Sequence, residues 1–305
     1  MMIEDGHNLD KVELFLLRDF IQSIRISNST LEHMEETSQE FDKYMKTLSQ
    51  FKQKDVLNYW LSESYNEIID SNRIENHFIS RKEILKSDLF EKVVNKPLTH
   101  PIIERLHQFS LQDKKAKREK YRKSDIRVSS IYEDGREEIF WFGAEPEDVQ
   151  QFMDDFLDVY NTNTISVINS NPFLKSALIH LLFVRIHPFS DGNGRTARLL
   201  QSIKFTESIS RLYGKKFNLC PINLSESIYI NRNTYVNIIN NIYFDITNNN
   251  TKYMNKWFDF MLNMVDEQIF HRQTHIANLE AAQLKYDNND EKLLLELGKL
   301  IPRKK

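Results

Sequence analysis

The chain has 305 residues, 40% hydrophobic and 28% charged, with a formal net charge of −3. This composition supports a globular core and gives no general attraction to nucleic acid or anionic membranes. The single cysteine, Cys220, excludes an internal disulfide framework, and the absence of a long apolar run excludes a predicted membrane span, so we expect a cytoplasmic protein.

The N-terminal part of the chain contains two amphipathic helical patterns. One runs from Leu9 to Ile24 and the other from Leu57 toward Asn76, with a polar stretch of weak signals between them. Asn76 is expected to end the second helix in a left-handed conformation. Ser80 and Glu83 form a capping box, which predicts the start of another helix.

A helix from Pro97 to Leu111 precedes the one β signal of the chain. Two runs rich in β-forming residues, 126–133 and 136–142, flank Asp134-Gly135, a combination typical of a hairpin. A lone hairpin is marginally stable, so we expect one face to pack on helices. The hairpin either adds an extended segment of a protein target at its edge or has a purely structural role.

Further helical patterns follow the hairpin. One begins after Pro146, and one begins at Pro172 and is apolar nearly all round, which predicts a buried helix. Others lie at 199–205, within 221–242, and from Met254 onward.

Residues 187–198, with the sequence HPFSDGNGRTAR, lie between two of these helices and combine several reactive groups. His187 can accept a proton from a hydroxyl near neutral pH. Asp191 offers the oxygen ligand that holds Mg²⁺ together with substrate phosphates. These two residues predict a base and a metal ligand.

The other polar residues of this stretch suit a polyphosphate. Gly192 and Gly194 allow backbone N–H groups to approach an anion at a helix N-terminus, and Asn193 adds an amide donor. Arg195 and Arg198 are three residues apart and share one helix face, where guanidinium groups bind phosphate.

Two alternatives compete with this interpretation. A P-loop fits the stretch poorly, because no lysine follows the glycines and no strand is predicted before them. The simpler alternative is a surface turn next to a structural histidine, but eight functional residue types within twelve positions make that alternative improbable.

The stretch resembles the motif H-x-F-x-[D/E]-G-N-G-R-x-x-R of the Fic-domain family, which it matches without a gap. The resemblance implies an all-α fold, with a helical Fic core and a small β-hairpin flap. It also implies transfer of AMP from Mg-ATP to a Ser, Thr or Tyr hydroxyl of a protein target or of the enzyme itself. Gly194 stands where the branch that phosphorylates its targets has lysine, which favours AMP transfer.

A second segment resembles the inhibitory helix of Fic proteins. Ser71, Glu75 and Asn76 form the only match in the chain to [S/T]-x-x-x-E-[G/N]. The resemblance implies that Glu75 pairs with Arg198 and holds it away from the γ-phosphate of ATP. An ordinary solvated helix face is the alternative.

The resemblance also sets the expected organisation of the chain. Residues 1–92 would form an N-terminal helical region with the inhibitory helix, 93–265 the Fic core, and 266–305 a C-terminal helical extension. The flap at 126–142 would dock the protein target, and Tyr235 would face the adenine.

Three other functions stay open. The enzyme could remove AMP, with Glu75 positioning the attacking water, or use another nucleotide such as UTP. A nucleotide-responsive helical interaction module is the alternative outside enzymology, but His187 and Asp191 favour an enzyme because a pure binder needs no base. The sequence leaves a homo-oligomer open.

Overall fold

The computed structural model describes residues 21, 24–51, 53–80, 93–94, 96–113, 115, 117–131, 135–162, 168, 171–214, 217, 220–247 and 252–285. The helix predicted from Leu9 to Ile24 lies outside these residues, apart from Ile21 and Ile24. Glu83 of the predicted capping box also lies outside them.

The described chain is all-α apart from one two-stranded antiparallel sheet, as the sequence predicts for the fold class. Its elements in chain order are α1 (Asn28–Leu48), α2 (Gln53–Ile74), α3 (His100–Ser110), β1 (Arg127–Ile131), β2 (Glu137–Phe142), α4 (Val149–Asn161), α5 (Pro172–Ile186), α6 (Asn193–Leu212), α7 (Leu224–Ile230), α8 (Arg232–Thr247) and α9 (Lys252–Lys285).

Helix α5 is the centre of the molecule, and all of its residues are buried. It begins where the Asn171 side chain accepts hydrogen bonds from the N–H groups of Phe173 and Leu174, with Pro172 in the first turn. It ends at His187, whose φ of 53° is left-handed. The predicted buried helix is thereby confirmed, and residues 187–192 connect it to α6.

The other helices pack around the α5–α6 pair. Trp257 of α9 donates from Nε1 to the carbonyl oxygen of Ala177 at 3.0 Å. From α4, the ring of Phe156 packs edge-on against Phe183 of α5, with centroids 5.5 Å apart. The pair is therefore enclosed, and its connecting loop is held from several sides.

Helix α1 was not predicted from the sequence. Phe41 of α1 is 1% exposed and contacts Phe173 and Phe205 at centroid distances of 5.4 and 5.6 Å. Phe173 lies at the start of α5 and Phe205 in the second half of α6. Helix α1 thus covers the end of the α5–α6 pair that is remote from residues 187–192.

Helix α2 is joined to the core through a buried carboxylate, that of Glu67. Its oxygens accept hydrogen bonds from Ser225 N at 3.0 Å, Ser225 Oγ at 2.5 Å and Ser202 Oγ at 3.2 Å. Burial raises the pKa of Glu67 to about 7, and the bonds from Ser225 oppose that rise. These bonds fix the position of α2 against α6 and α7.

The two strands pair from Arg127 opposite Phe142 to Ile131 opposite Glu137, with a bulge between Val128 and Ser129. The base of this ribbon is tied to the end of α5, because Ala144 N donates to the carbonyl oxygen of Ile186 at 3.3 Å. The ribbon therefore lies next to His187.

Helix α9 is a single element of 34 residues, Lys252–Lys285. The predicted boundary between residues 265 and 266 lies within it. Among the described helices, none combines the length and the apolar character that a bilayer span requires.

We expect Phe41→Ala to lower the free energy of unfolding by about 3–5 kcal/mol, because it removes a buried ring and leaves a cavity between three elements. Urea unfolding measures this change. Phe78→Ala is the control, since Phe78 is 73% exposed, and we expect a change within about 0.5 kcal/mol. Equal changes in the two variants would contradict the placement of α1.

Candidate active site

His187 stands at the C-terminal end of α5. Its Nδ1 lies 3.0 Å from the carbonyl oxygen of Val184, so Nδ1 carries the proton and Nε2 the lone pair. Removal from water lowers the pKa of His187 to about 4; the Arg122 cation acts in the same direction, and the bond to Val184 opposes it. The ring is neutral at physiological pH, as a general base must be.

Arg122 fixes this helix end by donating to main-chain carbonyls. Its Nε donates to the carbonyl oxygen of His187 at 2.7 Å, and one terminal nitrogen donates to those of both Ala144 and Ile186. Its backbone N donates to the carbonyl oxygen of Pro188 at 2.8 Å. This role of Arg122 was not predicted from the sequence, because backbone acceptors leave no residue-specific pattern.

The loop after His187 is built on Phe189, which is fully buried and stacks on His107 with centroids 3.8 Å apart. His107 donates from Nε2 to the carbonyl oxygen of Asp191 at 2.9 Å. The Asn193 side chain accepts from Phe189 N at 2.9 Å and donates to Phe189 O at 2.8 Å. Asn193 therefore shapes the loop, and its predicted phosphate contact stays a prediction.

Asp191 presents its carboxylate to solvent, with 80% of the side chain exposed. Oδ2 accepts from Arg195 at 2.9 Å, whereas the Arg195 side chain is only 3% exposed. Within the described chain, no group of three or more His, Cys, Asp or Glu could hold a metal ion. The exposed carboxylate of Asp191 is an oxygen donor of the kind that holds Mg²⁺ jointly with substrate phosphates.

The N-terminus of α6 is preceded by Gly192, whose φ of 74° is left-handed. Gly194 lies in the first turn, where an added Cβ would stand 2.6 Å from Glu75 Oε1 and 3.2 Å from an Arg198 nitrogen. Only glycine lets a carboxylate come this close. Glu75 therefore occupies the position at which a helix N-terminus binds anions.

Arg198 joins α6 to the end of α2. Its side chain is 1% exposed; Nε donates to Ser71 Oγ at 2.9 Å, and a terminal nitrogen donates to Ser71 O at 2.9 Å and Glu75 Oε1 at 2.7 Å. Partial burial raises the pKa of Glu75, but Arg198, assisted by Arg195, outweighs it, and the pKa lies below its ordinary value. The carboxylate is therefore ionised and paired.

The remaining predicted site residues lie at two different places. Asn76 has a φ of 58° and follows the end of α2, as predicted for a helix terminator. Tyr235 of α8 is 6% exposed, and its hydroxyl lies 3.0 Å from Nε2 of His180. The predicted contact of Tyr235 with adenine stays a prediction. His180 was missed, although it lies two helical turns before His187 and so shares its face of α5.

The model of the Fic/DOC family matches residues 97–203, which include α3, the ribbon, α4, α5 and the first half of α6. This chain contains a Fic domain. Protein adenylyltransferase fic-1 of Caenorhabditis elegans is 41% identical over 60 residues, which cover 20% of this chain and 11% of that protein. Protein adenylyltransferase Fic of Drosophila erecta is 31% identical over 140 residues, covering 44% of this chain and 25% of that protein.

A solved structure extends the likeness beyond the Fic domain. The crystal structure of a Fic family protein from Desulfovibrio desulfuricans G20 superposes with a TM-score of 0.60, covering 93% of this chain and 86% of that one. Its sequence identity is 14%, so the similarity concerns the fold. The chain spans a quarter or less of the two curated relatives above.

We expect the imidazole of His187 to titrate near pH 4. A pH titration of the ¹³C-labelled histidines by NMR measures this pKa, and the spectrum of His187→Ala assigns the signal. The urea-unfolded chain should give the ordinary histidine pKa of about 6.5. Because the folded pKa is the lower one, the stability that His187 contributes is present above about pH 6.5 and is lost as the pH falls through the folded value. A folded midpoint at the unfolded value would contradict the buried, neutral ring.

Proposed function

We propose that this protein transfers AMP from ATP to a Ser, Thr or Tyr hydroxyl of a protein target or of itself, and that Glu75 restrains the reaction. The observation that carries the proposal is a neutral His187 beside an α6 N-terminus with two buried guanidinium groups, inside a Fic domain. Relatives named protein adenylyltransferases support it.

The chemistry of the transfer follows from His187. Its Nε2 takes the proton of the target hydroxyl while the oxygen forms a bond to the α-phosphorus of ATP. The bond from that phosphorus to the bridging oxygen breaks, and pyrophosphate leaves. The hydrogen bond from Nδ1 to Val184 keeps Nε2 as the accepting nitrogen throughout. His187 then releases its proton to solvent.

The charge of the nucleotide is met by the first turns of α6. The N–H groups after Gly192 and the Arg195 guanidinium would bind phosphate oxygens. Asp191 would hold Mg²⁺ together with those phosphates, and the ion supplies charge neutralisation when bound. Arg195 keeps the Asp191 carboxylate oriented through the 2.9 Å contact.

The restraint by Glu75 rests on competition for one cation. Arg198 can satisfy a carboxylate or a phosphate, but not both in the same direction. With Glu75 Oε1 2.7 Å from Arg198 and close against Gly194, a terminal phosphate would meet an anion where it needs a cation. ATP would then bind in an unproductive pose.

The ribbon of β1 and β2 is the proposed docking element for the target. An extended segment of the target, added to the edge of the ribbon, would be held by main-chain hydrogen bonds. Such binding depends little on the amino-acid sequence of the segment. The contact of Ala144 N with Ile186 O, at 3.3 Å, sets the ribbon beside the end of α5. The hydroxyl of the added segment would therefore pass near His187.

We expect Glu75→Gly to raise AMP incorporation at least tenfold, because it frees Arg198 for phosphate. Incorporation from labelled ATP, followed by mass spectrometry of the chain and of lysate proteins, measures it. Glu75→Gln tests the charge at nearly constant size and should activate as well. Glu40→Gly, on α1 with 47% of the side chain exposed, is the control and should not activate. Failure of both Glu75 variants to exceed it would refute the restraint.

We expect His187→Ala, introduced into the Glu75→Gly variant, to reduce AMP transfer by at least a hundredfold, the scale of lost general-base catalysis. The dissociation constant of this double variant for ATP, measured by calorimetry, should differ less than threefold from that of Glu75→Gly. The reason is that the proposed partner of His187 is the target hydroxyl and not a phosphate. His77→Ala, an exposed histidine after α2, is the matched control. Retained transfer in His187→Ala would remove the assigned base.

A further inference from the structure

A chain of three buried polar side chains lies behind Arg198, between α5, α6 and α8. His180 of α5 is fully buried, with Nδ1 2.5 Å from Oε1 of Gln201 and Nε2 3.0 Å from the hydroxyl of Tyr235. Gln201 is 1% exposed. Neither contact was expected from the sequence.

The direction of these hydrogen bonds follows from the chemistry of the groups. The amide oxygen of Gln201 only accepts, so Nδ1 of His180 carries the proton. Burial lowers the pKa of His180 to about 3, so the ring is neutral and Nε2 can only accept. The Tyr235 hydroxyl must therefore donate to His180, which leaves the lone pairs of its oxygen for a donor elsewhere.

Arg198 has an unused donor beside that oxygen. Its Nε and one terminal nitrogen are taken by Ser71 and Glu75, whereas NH1 is buried and has no hydrogen-bond partner among the described residues. Burial raises the pKa of Tyr235 to about 12, and the Arg198 cation is the strongest influence opposing that rise. The phenol oxygen and the guanidinium are therefore neighbours.

We propose that Tyr235, oriented by His180 and Gln201, is a positioning residue that keeps the Arg198 guanidinium aimed at the terminal phosphate of the nucleotide when Glu75 is displaced. This inference rests on the proposed function only in assigning a phosphate to Arg198. It gives Tyr235 a role through its hydroxyl, and not through the face of its ring against adenine.

The physical reason lies in what Arg198 loses when Glu75 leaves. Its long side chain has many rotamers, and a buried guanidinium without acceptors is costly. The phenol oxygen of Tyr235 cannot turn away, because its own proton is held by His180, and it therefore stays available as an acceptor for NH1 when Arg198 is released. The other terminal nitrogen, which lies 3.6 Å from a Cβ built on Gly194, then stays near the N-terminus of α6, where phosphate would bind.

The test compares nucleotides that differ in their phosphates. In the Glu75→Gly variant, Tyr235→Phe removes one oxygen and keeps the ring. Calorimetry with Mg²⁺ should give a dissociation constant for ATP that rises about tenfold, the scale of a hydrogen bond to a charged group. The dissociation constant for AMP, which lacks the terminal phosphate, should change less than twofold. Tyr160→Phe is the matched control, because Tyr160 is a buried phenol of α4, and neither constant should change.

A second variant acts one step further back. His180→Phe keeps an aromatic ring in the same space but removes the acceptor of the Tyr235 proton. We expect it to weaken the binding of ATP and to leave the binding of AMP unchanged. If Tyr235→Phe weakened the binding of ATP and of AMP equally, the proposal would be overturned in favour of a contact with adenine. If it changed the binding of neither nucleotide, the proposal would be overturned in favour of a packing role. A Glu75→Gly variant that binds ATP but transfers no AMP would refute the proposed function and leave this inference intact.

Discussion

The burial of the Arg198 guanidinium is the constraint on which the site depends. A side chain that is 1% exposed cannot rely on water, so protein groups must meet its charge and its donors. Ser71 and Glu75 do so from α2, and Tyr235 lies beside it from α8. One cation thus joins three helices that are far apart in the chain. The charge that suits Arg198 to bind phosphate is also the charge that attaches α2 to the Fic domain.

The features predictable from the sequence are those with a local origin. Helix α5 could be predicted because an apolar run between Pro172 and His187-Pro188 has both a start and an end signal. The clustering of the motif residues followed from their spacing around a helix N-terminus. The approach of Glu75 to Arg198 was expected from the resemblance alone, because the two residues are 123 positions apart and no periodicity joins them.

The features that were missed depend on partners that the sequence does not bring together. Helix α1 lacks a continuous apolar stripe, because two of its buried positions are Thr30 and Thr37. The hydroxyls of these two residues donate hydrogen bonds to side chains of α9. Arg122 acts on main-chain carbonyls, which every residue has. His180 could have been suspected from its spacing to His187, but its hydroxyl partner lies 55 residues away.

The anchoring of α2 by Glu67 has a consequence for how the restraint could be lifted. Glu67 precedes Glu75 by eight residues, a little more than two turns, and its bonds to Ser225 and Ser202 prevent the helix from sliding along its axis. Release of the Glu75 carboxylate from Arg198 would therefore be a local change, either of the half-exposed Glu75 side chain or of the final turn next to the left-handed Asn76. Either change would break at most a few terminal hydrogen bonds, and the rest of the molecule would keep its shape. The proposed restraint would then depend on the local stability of residues 72–76 and hardly at all on the global stability of the fold.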